Sequence, residues 1–153
     1  MQKEDSENLT SIKSTEGPVW LKKPTQCQLW QKELLTGEDF NMLQNFDLVK
    51  VIVDDSHWIR HILKHKECGQ LYFKELYEVV DWENGDDPQY RTYIPIEGKD
   101  IEEISKSDIF GICNFWPQIR SDWPKGGGQS IKWFGRDTAK VEKPTSGEVI
   151  VET

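Results

Sequence analysis

Apolar residues concentrate in the middle of the chain, which predicts one folded segment over residues 18–136. Residues 1–17 have no hydrophobic period and are expected to form a disordered arm. Residues 137–153 are mostly polar and are expected to form a flexible tail. The pattern therefore predicts a single globular domain between two tails.

Several stretches of the folded segment are rich in the β-branched and aromatic residues that favour strands. These predicted strands cover residues 46–53, 57–65, 70–82, 89–96 and 130–134. Residues 57–65 also fit a brief helix, but a strand that runs into a tight turn at Glu67, Cys68 and Gly69 is favoured. The strands on either side of this turn would form a hairpin at the centre of a sheet.

The helical signals are shorter and leave alternatives open. Residues 26–35 fit a helix or an irregular turn, and residues 38–45 are equally ambiguous. Asp100 is placed to cap a helix over residues 101–115 that breaks near residue 107. Pro95 suggests that its strand lies at an edge or ends early. Pro117 and Pro124 place a loop between this helix and the last strand.

Together these elements predict an α+β fold. Its core would be a small, mostly antiparallel sheet built around the central hairpin, with two or three short helices.

The charge balance narrows the classes of partner. There are 19 basic and 27 acidic residues, a formal net charge of -8. Such a field repels phosphate backbones and anionic lipid surfaces, so direct binding to nucleic acid or to a membrane is not expected. The same field attracts a basic protein, although it also serves solubility alone, and both interpretations stay open.

Cysteine usage and the lack of targeting signals indicate a cytoplasmic protein, expected to be a monomer. The three cysteines, Cys27, Cys68 and Cys113, are an odd number without framework spacing, which is typical of reduced thiols. No stretch approaches the roughly 20 apolar residues of a membrane-spanning helix, and the N-terminus does not resemble a secretory signal.

His65 and Cys68, followed by Gly69, are spaced like one knuckle of a zinc ribbon. A structural zinc site needs four donors, and the other candidates, which are His57, His61, Cys27 and Cys113, form no second knuckle. A tight turn that requires Gly69 for its backbone is therefore the favoured interpretation, and neither a metal nor a cofactor is predicted.

The three histidines of the chain are spaced four residues apart, which on a helix would align them on one face. Position 58 is Trp, so the general base of a metalloprotease motif is missing. No nucleophile is brought to a histidine by the sequence either. The chain is therefore not expected to be an enzyme.

Acidic residues interleaved with aromatic ones form the strongest local signal, and this predicted rim is the candidate partner-binding site. Its members are Glu75, Glu78, Asp81, Trp82, Glu83, Asp86, Asp87 and Tyr90. An acidic rim around an exposed aromatic anchor is typical of an interface that captures a basic surface. The same run is also compatible with a solvated strand end and turn.

The runs HILKHKECGQLYFKELYEVVDW, GDDPQYRTYIPI, SDWPK and IKWFG resemble an uncharacterised family of small bacterial proteins. Members of that family carry the sequence C-x-x-C-G-Q-x-Y-F at this turn, so His65 occupies the position of one of their cysteines.

By type, the chain is similar to the immunity proteins of contact-dependent growth inhibition and related toxin systems. This resemblance implies an antitoxin that covers the basic active site of a cognate toxin, expected to be a nuclease. The alternative is a degenerate zinc-ribbon-like module with a structural or regulatory role.

Overall fold

The computed structural model describes residues 19–79, 88–106, 115–123 and 128–136. The predicted arm over residues 1–17 and the predicted tail over residues 137–153 lie outside the described residues.

A six-stranded antiparallel sheet forms the centre of the molecule. The described residues contain eight strands, six of which belong to this sheet. They are β1 (Val19–Trp20), β2 (Phe46–Asp54), β3 (Trp58–His65), β4 (Leu71–Glu78), β5 (Gln89–Ile96), β6 (Phe115–Trp116), β7 (Gln118–Trp123) and β8 (Ser130–Phe134). The large sheet has the order β2-β3-β4-β5-β7-β8, while β1 and β6 pair in parallel as a separate two-stranded sheet. The predicted hairpin is formed by β3 and β4, in which Ile62 pairs with Phe73.

The helices are short and lie outside the sheet. They are α1 (Gln28–Gln31), α2 (Met42–Asn45) and α3 (Ile101–Ser105), with 3-10 turns at Gly37–Phe40 and Gly98–Asp100. The α+β prediction with a mostly antiparallel sheet and short helices is therefore confirmed. None of the helices in the described part of the chain is long and apolar enough to cross a membrane.

Three local predictions need correction. The helix predicted over residues 101–115 is described only as α3, which ends at Ser105, and Phe115 belongs to β6, while residues 107–114 lie outside the described residues. Residues 118–123 were expected to form a loop, but they form β7, which lies between β5 and β8. Asp100 does not cap α3 through its side chain; its carboxylate accepts a hydrogen bond from the Glu97 amide at 2.9 Å instead.

The position of Pro95 follows from the pairing of β5. This strand is interior, yet its pairing with β7 covers only Gln89 to Tyr93. Pro95 pairs with Tyr72 of β4 on the other side. Because proline has no backbone N–H to donate, it is tolerated where the ladder is one-sided.

Apolar residues pack on both faces of the inner strands, and side chains alternate between the two faces along each strand. On one face, Leu63, Tyr72 and Tyr93 pack with Cys27 and Leu29 from the segment that precedes β2. On the opposite face, Ile62, Phe73 and Ile94 pack with Ile104 of α3 and Phe115 of β6.

The segment before β2 is fastened to the last strand by polar bonds as well as by packing. Trp133 donates its indole N–H to the Leu29 carbonyl at 2.8 Å and lies edge-on to the Trp30 ring. Arg136 donates to the Lys32 carbonyl at 2.7 Å. These bonds hold Cys27 over the β3–β4 hairpin.

Candidate functional site

The predicted rim begins with a residue that lies inside the protein. Glu75 is 5% exposed; its carboxylate accepts hydrogen bonds from Arg60 Nε at 3.0 Å and from Trp58 Nε1 at 2.8 Å. The expectation that Glu75 is an exposed rim residue is therefore corrected. Its strand is covered on both faces, and its charge is already paired.

Tyr90 is also buried, with 6% of its surface exposed, and so it cannot act as an exposed anchor. Glu78 is half-buried, and it contacts His57 Nδ1 at 3.0 Å and Gln89 Nε2 at 3.1 Å. The hydrogen bond to His57 holds the pKa of Glu78 below its usual value. The remaining rim residues, Asp81, Trp82, Glu83, Asp86 and Asp87, lie outside the described residues.

Glu78 belongs to one end of the sheet, defined here as the acidic end by Asp54, Asp55, Glu78, Val79 and Trp123. The two aspartates are exposed at the β2–β3 turn. Val79 is 42% and Trp123 is 49% exposed. Across the strands, Glu78 pairs with Gln89 and Gln89 pairs with Trp123. The side chains of Glu78 and Trp123 therefore lie on the same face of the sheet. Carboxylates and apolar surface thus meet at this end.

Glu75 is part of a buried polar row that crosses four strands. The row pairs Arg60 with Glu75, Glu75 with Thr92, and Thr92 with Arg120. Arg120 lies 3.2 Å from Asp122 on the same strand. Two guanidinium groups therefore face two carboxylates, which satisfies the rule that buried charges are paired.

A separate cluster unites residues from distant parts of the chain. The cluster consists of Cys27 before α1, His65 at the end of β3 and Cys68 in the following turn, and their donor atoms all lie within 4.8 Å of one another. His65 Nδ1 is 3.4 Å from Cys68 Sγ and 3.9 Å from Cys27 Sγ. We refer to these three residues as the thiol–imidazole cluster.

Aromatic side chains surround Cys27 and His65, the two buried members of the thiol–imidazole cluster. Tyr72 donates its hydroxyl to Cys27 Sγ at 3.0 Å, and the Phe46 ring lies edge-on to His65 with centroids 5.2 Å apart. Burial raises the pKa of the Cys27 thiol to about 11 and lowers that of His65. Without a metal, these groups are therefore neutral at pH 7.

The turn that carries Cys68 depends on Gly69, whose φ is 79°. The Gly69 amide donates to the His65 carbonyl at 2.7 Å, closing the turn so that His65 and Cys68 face each other. The spacing of His65, Cys68 and Gly69 in the sequence predicts this tight turn. Cys27 was one of several candidates, and the spacing gave no reason to single it out.

The other two histidines do not join His65. They lie on or next to the same extended strand, where four residues span about 13 Å rather than one helical turn. His61 is half-buried, and His57 is at the acidic end. The alignment of three histidines on one helical face does not occur.

The sequence did not single out a cationic cavity of about 330 Å³ on the face that carries Tyr93. Its lining includes Phe40, Lys74, Arg91, Tyr93, Trp123 and Gln129. Lys74 is only 9% exposed, and its ammonium lies 5.7 Å from the centre of the Tyr93 ring. Burial, together with the nearby charge of Arg91, lowers the pKa of Lys74 to about 8.

Comparison with protein-family models, with curated protein sequences and with solved structures finds no match for the chain.

Proposed function

We propose that this protein is a bacterial immunity protein that neutralises a basic toxin domain, expected to be a nuclease, by covering its active site. The observation that carries the proposal is the acidic end, where the carboxylates of Asp54, Asp55 and Glu78 lie at the same end of the sheet as exposed Val79 and Trp123. Exposed carboxylates steer a basic partner, and an aromatic side chain supplies the apolar anchor that hot spots require.

The amino-acid sequence of the connection between β4 and β5 also supports a basic partner. It leaves and rejoins the sheet at the acidic end, where the Val79 amide donates to the Pro88 carbonyl at 3.0 Å. Residues 80–87 contain Asp81, Glu83, Asp86 and Asp87. The formal charge of -8 favours the same class of partner. Inhibition would be steric and electrostatic, without turnover.

The primary experiment uses the tagged protein and the protein encoded by the neighbouring gene, produced together in the source bacterium. We expect a basic toxin domain to copurify at a one-to-one ratio and its nuclease activity to vanish when the two are mixed in equal amounts. A toxin that remains fully active in the presence of excess protein contradicts the proposal.

Charge reversal locates the contact. The double variant D54K/D55K should slow association about tenfold or more at low salt, and less at high salt, because steering is screened. The matched control is E33K/E102K, which makes the same change in charge at two exposed residues that are distant in sequence from the acidic end. Equal association rates for the two double variants would remove the acidic end from the interface.

The aromatic anchor is tested separately by W123A. We expect faster dissociation with a nearly unchanged association rate, since apolar contacts act after the encounter. If D54K/D55K slows association while W123A has no effect on dissociation, the interface involves the carboxylates without Trp123.

A further inference from the structure

Three donors that prefer the same class of metal already face one point in the protein. Cys27 comes from the segment before α1, while His65 and Cys68 come from the β3–β4 turn, 38 and 41 positions further along the chain. Thiolate sulfur and imidazole nitrogen are the donors of structural zinc sites.

The distances from the imidazole nitrogen to the two sulfurs are close to those of a tetrahedral zinc site. Zinc–sulfur bonds of about 2.3 Å and zinc–nitrogen bonds of about 2.0 Å place neighbouring donors roughly 3.5 to 3.8 Å apart. The distances from His65 Nδ1 are 3.4 Å to Cys68 Sγ and 3.9 Å to Cys27 Sγ. Only small side-chain shifts would centre an ion among them.

Groups around the donors are placed to support a metal. The Tyr72 hydroxyl donates to Cys27 Sγ at 3.0 Å, and such a hydrogen bond would stabilise the charge of a zinc-bound thiolate. The Phe46 ring packs edge-on against the His65 ring, with the centroids 5.2 Å apart. Gly69 holds the turn in the conformation that brings Cys68 to His65.

The side of the cluster at Cys68 is open. Cys68 is half-buried and lines a cavity of about 360 Å³ together with Lys22, Gln26 and Gln70. No fourth histidine, cysteine or carboxylate joins the cluster in the described part of the chain. A fourth position on this side is therefore accessible to water.

We propose that Cys27, His65 and Cys68 bind one zinc ion, whose fourth ligand is water from this cavity. On binding, both thiols lose their protons to solvent, and the sulfurs and the imidazole nitrogen coordinate the ion. The ion joins the segment before α1 to the central hairpin, so its role is to fasten the layer that covers this face of the sheet.

The test is metal analysis of the full chain purified under reducing conditions with zinc supplied in the growth medium. We expect about one zinc ion per chain, because the described residues contain one such cluster. C27S, C68S and H65A should lose most of this zinc, whereas C113S and H57A should retain it. H65C should also retain zinc, because it replaces one zinc ligand by another.

Cobalt substitution detects the metal–sulfur bonds directly, whereas a stability measurement would not identify the ligands. Cobalt added to the chelator-treated protein should give the thiolate-to-metal absorption of a cysteine-bound ion, and C27S and C68S should each weaken it. The proposal is overturned if no cobalt absorption develops, if C113S loses zinc as C27S does, or if the reduced protein remains metal-free. It is equally overturned if mass spectrometry finds Cys27 and Cys68 joined as a disulfide in protein purified under these reducing conditions.

Discussion

Arg60 and Glu75 form an ion pair across β3 and β4, with 3.0 Å between Arg60 Nε and the Glu75 carboxylate, and both side chains are almost fully buried. Trp58 shares the arrangement, because its indole donates to Glu75 and its ring lies over the Arg60 guanidinium. The pair therefore fixes the middle of the hairpin by charge, hydrogen bonding and ring contact together.

Removing one partner of this pair should be far more costly than removing both. E75A removes the carboxylate that faces the buried Arg60 guanidinium, and we expect it to lower the free energy of unfolding by about 3–5 kcal/mol. The double variant R60M/E75M should recover much of this loss. Urea denaturation measures all three proteins, and the exposed residue Glu102 provides the control E102A, which should stay near wild type. Equal losses for E75A and R60M/E75M would contradict the prediction.

The buried Lys74 makes stability depend on pH in the alkaline range. Its folded-state pKa is about 8, whereas an unfolded lysine titrates near 10.4. Between these values the unfolded chain binds more protons, so the Lys74 contribution to the free energy of unfolding rises with pH. The Lys74 contribution to the free energy of unfolding is fully present above a pH of about 10.4 and is lost as pH falls through about 8. The difference between these two limits is about 3 kcal/mol.

The comparison of K74M with wild type isolates this effect. K74M should be the more stable protein at pH 7, and its advantage should shrink as pH rises from 8 to 10. Lys64 is exposed on the neighbouring strand, so K64M should show a constant difference from wild type. A constant difference for K74M as well would mean that Lys74 keeps an ordinary pKa in the folded state.

Most of the sheet follows from local sequence, but β7 does not. The β-branched and aromatic composition of β2, β3, β4 and β5 predicts strands because such side chains pack well on a pleated surface. Along β7, by contrast, Arg120, Ser121 and Asp122 are buried although they are polar. Arg120 pairs with Asp122 on the same strand, and Ser121 accepts a hydrogen bond from Gln129. No local pattern reveals that such residues will be paired in the interior.

The candidate site was predictable only where it is local. The spacing of His65, Cys68 and Gly69 indicates a turn with two donors, and the structure places both donors there. The approach of Cys27 depends on how the segment before β2 packs over the hairpin. The burial of Glu75 depends in the same way on tertiary packing, because strand alternation does not say whether both faces of a sheet are covered.

Two glycines with positive φ should respond differently to the same substitution. Gly69 has φ 79° and open space where a Cβ would lie, so G69A should cost about 1–2 kcal/mol of backbone strain. Gly135 has φ 78°, and its Cβ would also lie 3.2 Å from the Trp20 ring, so G135A should cost more.

Gly98 is the control for this pair. It lacks a positive φ and has open space for a Cβ, so G98A should be neutral or stabilise the protein by up to about 1 kcal/mol. Thermal unfolding ranks the three variants. If G69A proves as stable as G98A, the turn at Gly69 does not require a left-handed residue.

The Tyr72 hydroxyl should tune the proposed zinc site without belonging to it. Its hydrogen bond to Cys27 Sγ at 3.0 Å disperses charge from a bound thiolate, and loss of such a bond typically weakens metal affinity about 10- to 100-fold. Y72F should therefore raise the zinc dissociation constant in competition with a chromophoric chelator. Tyr77, half-buried on the same strand, provides the control Y77F. Unchanged zinc affinity in Y72F would show that the hydroxyl serves only the packing of the core.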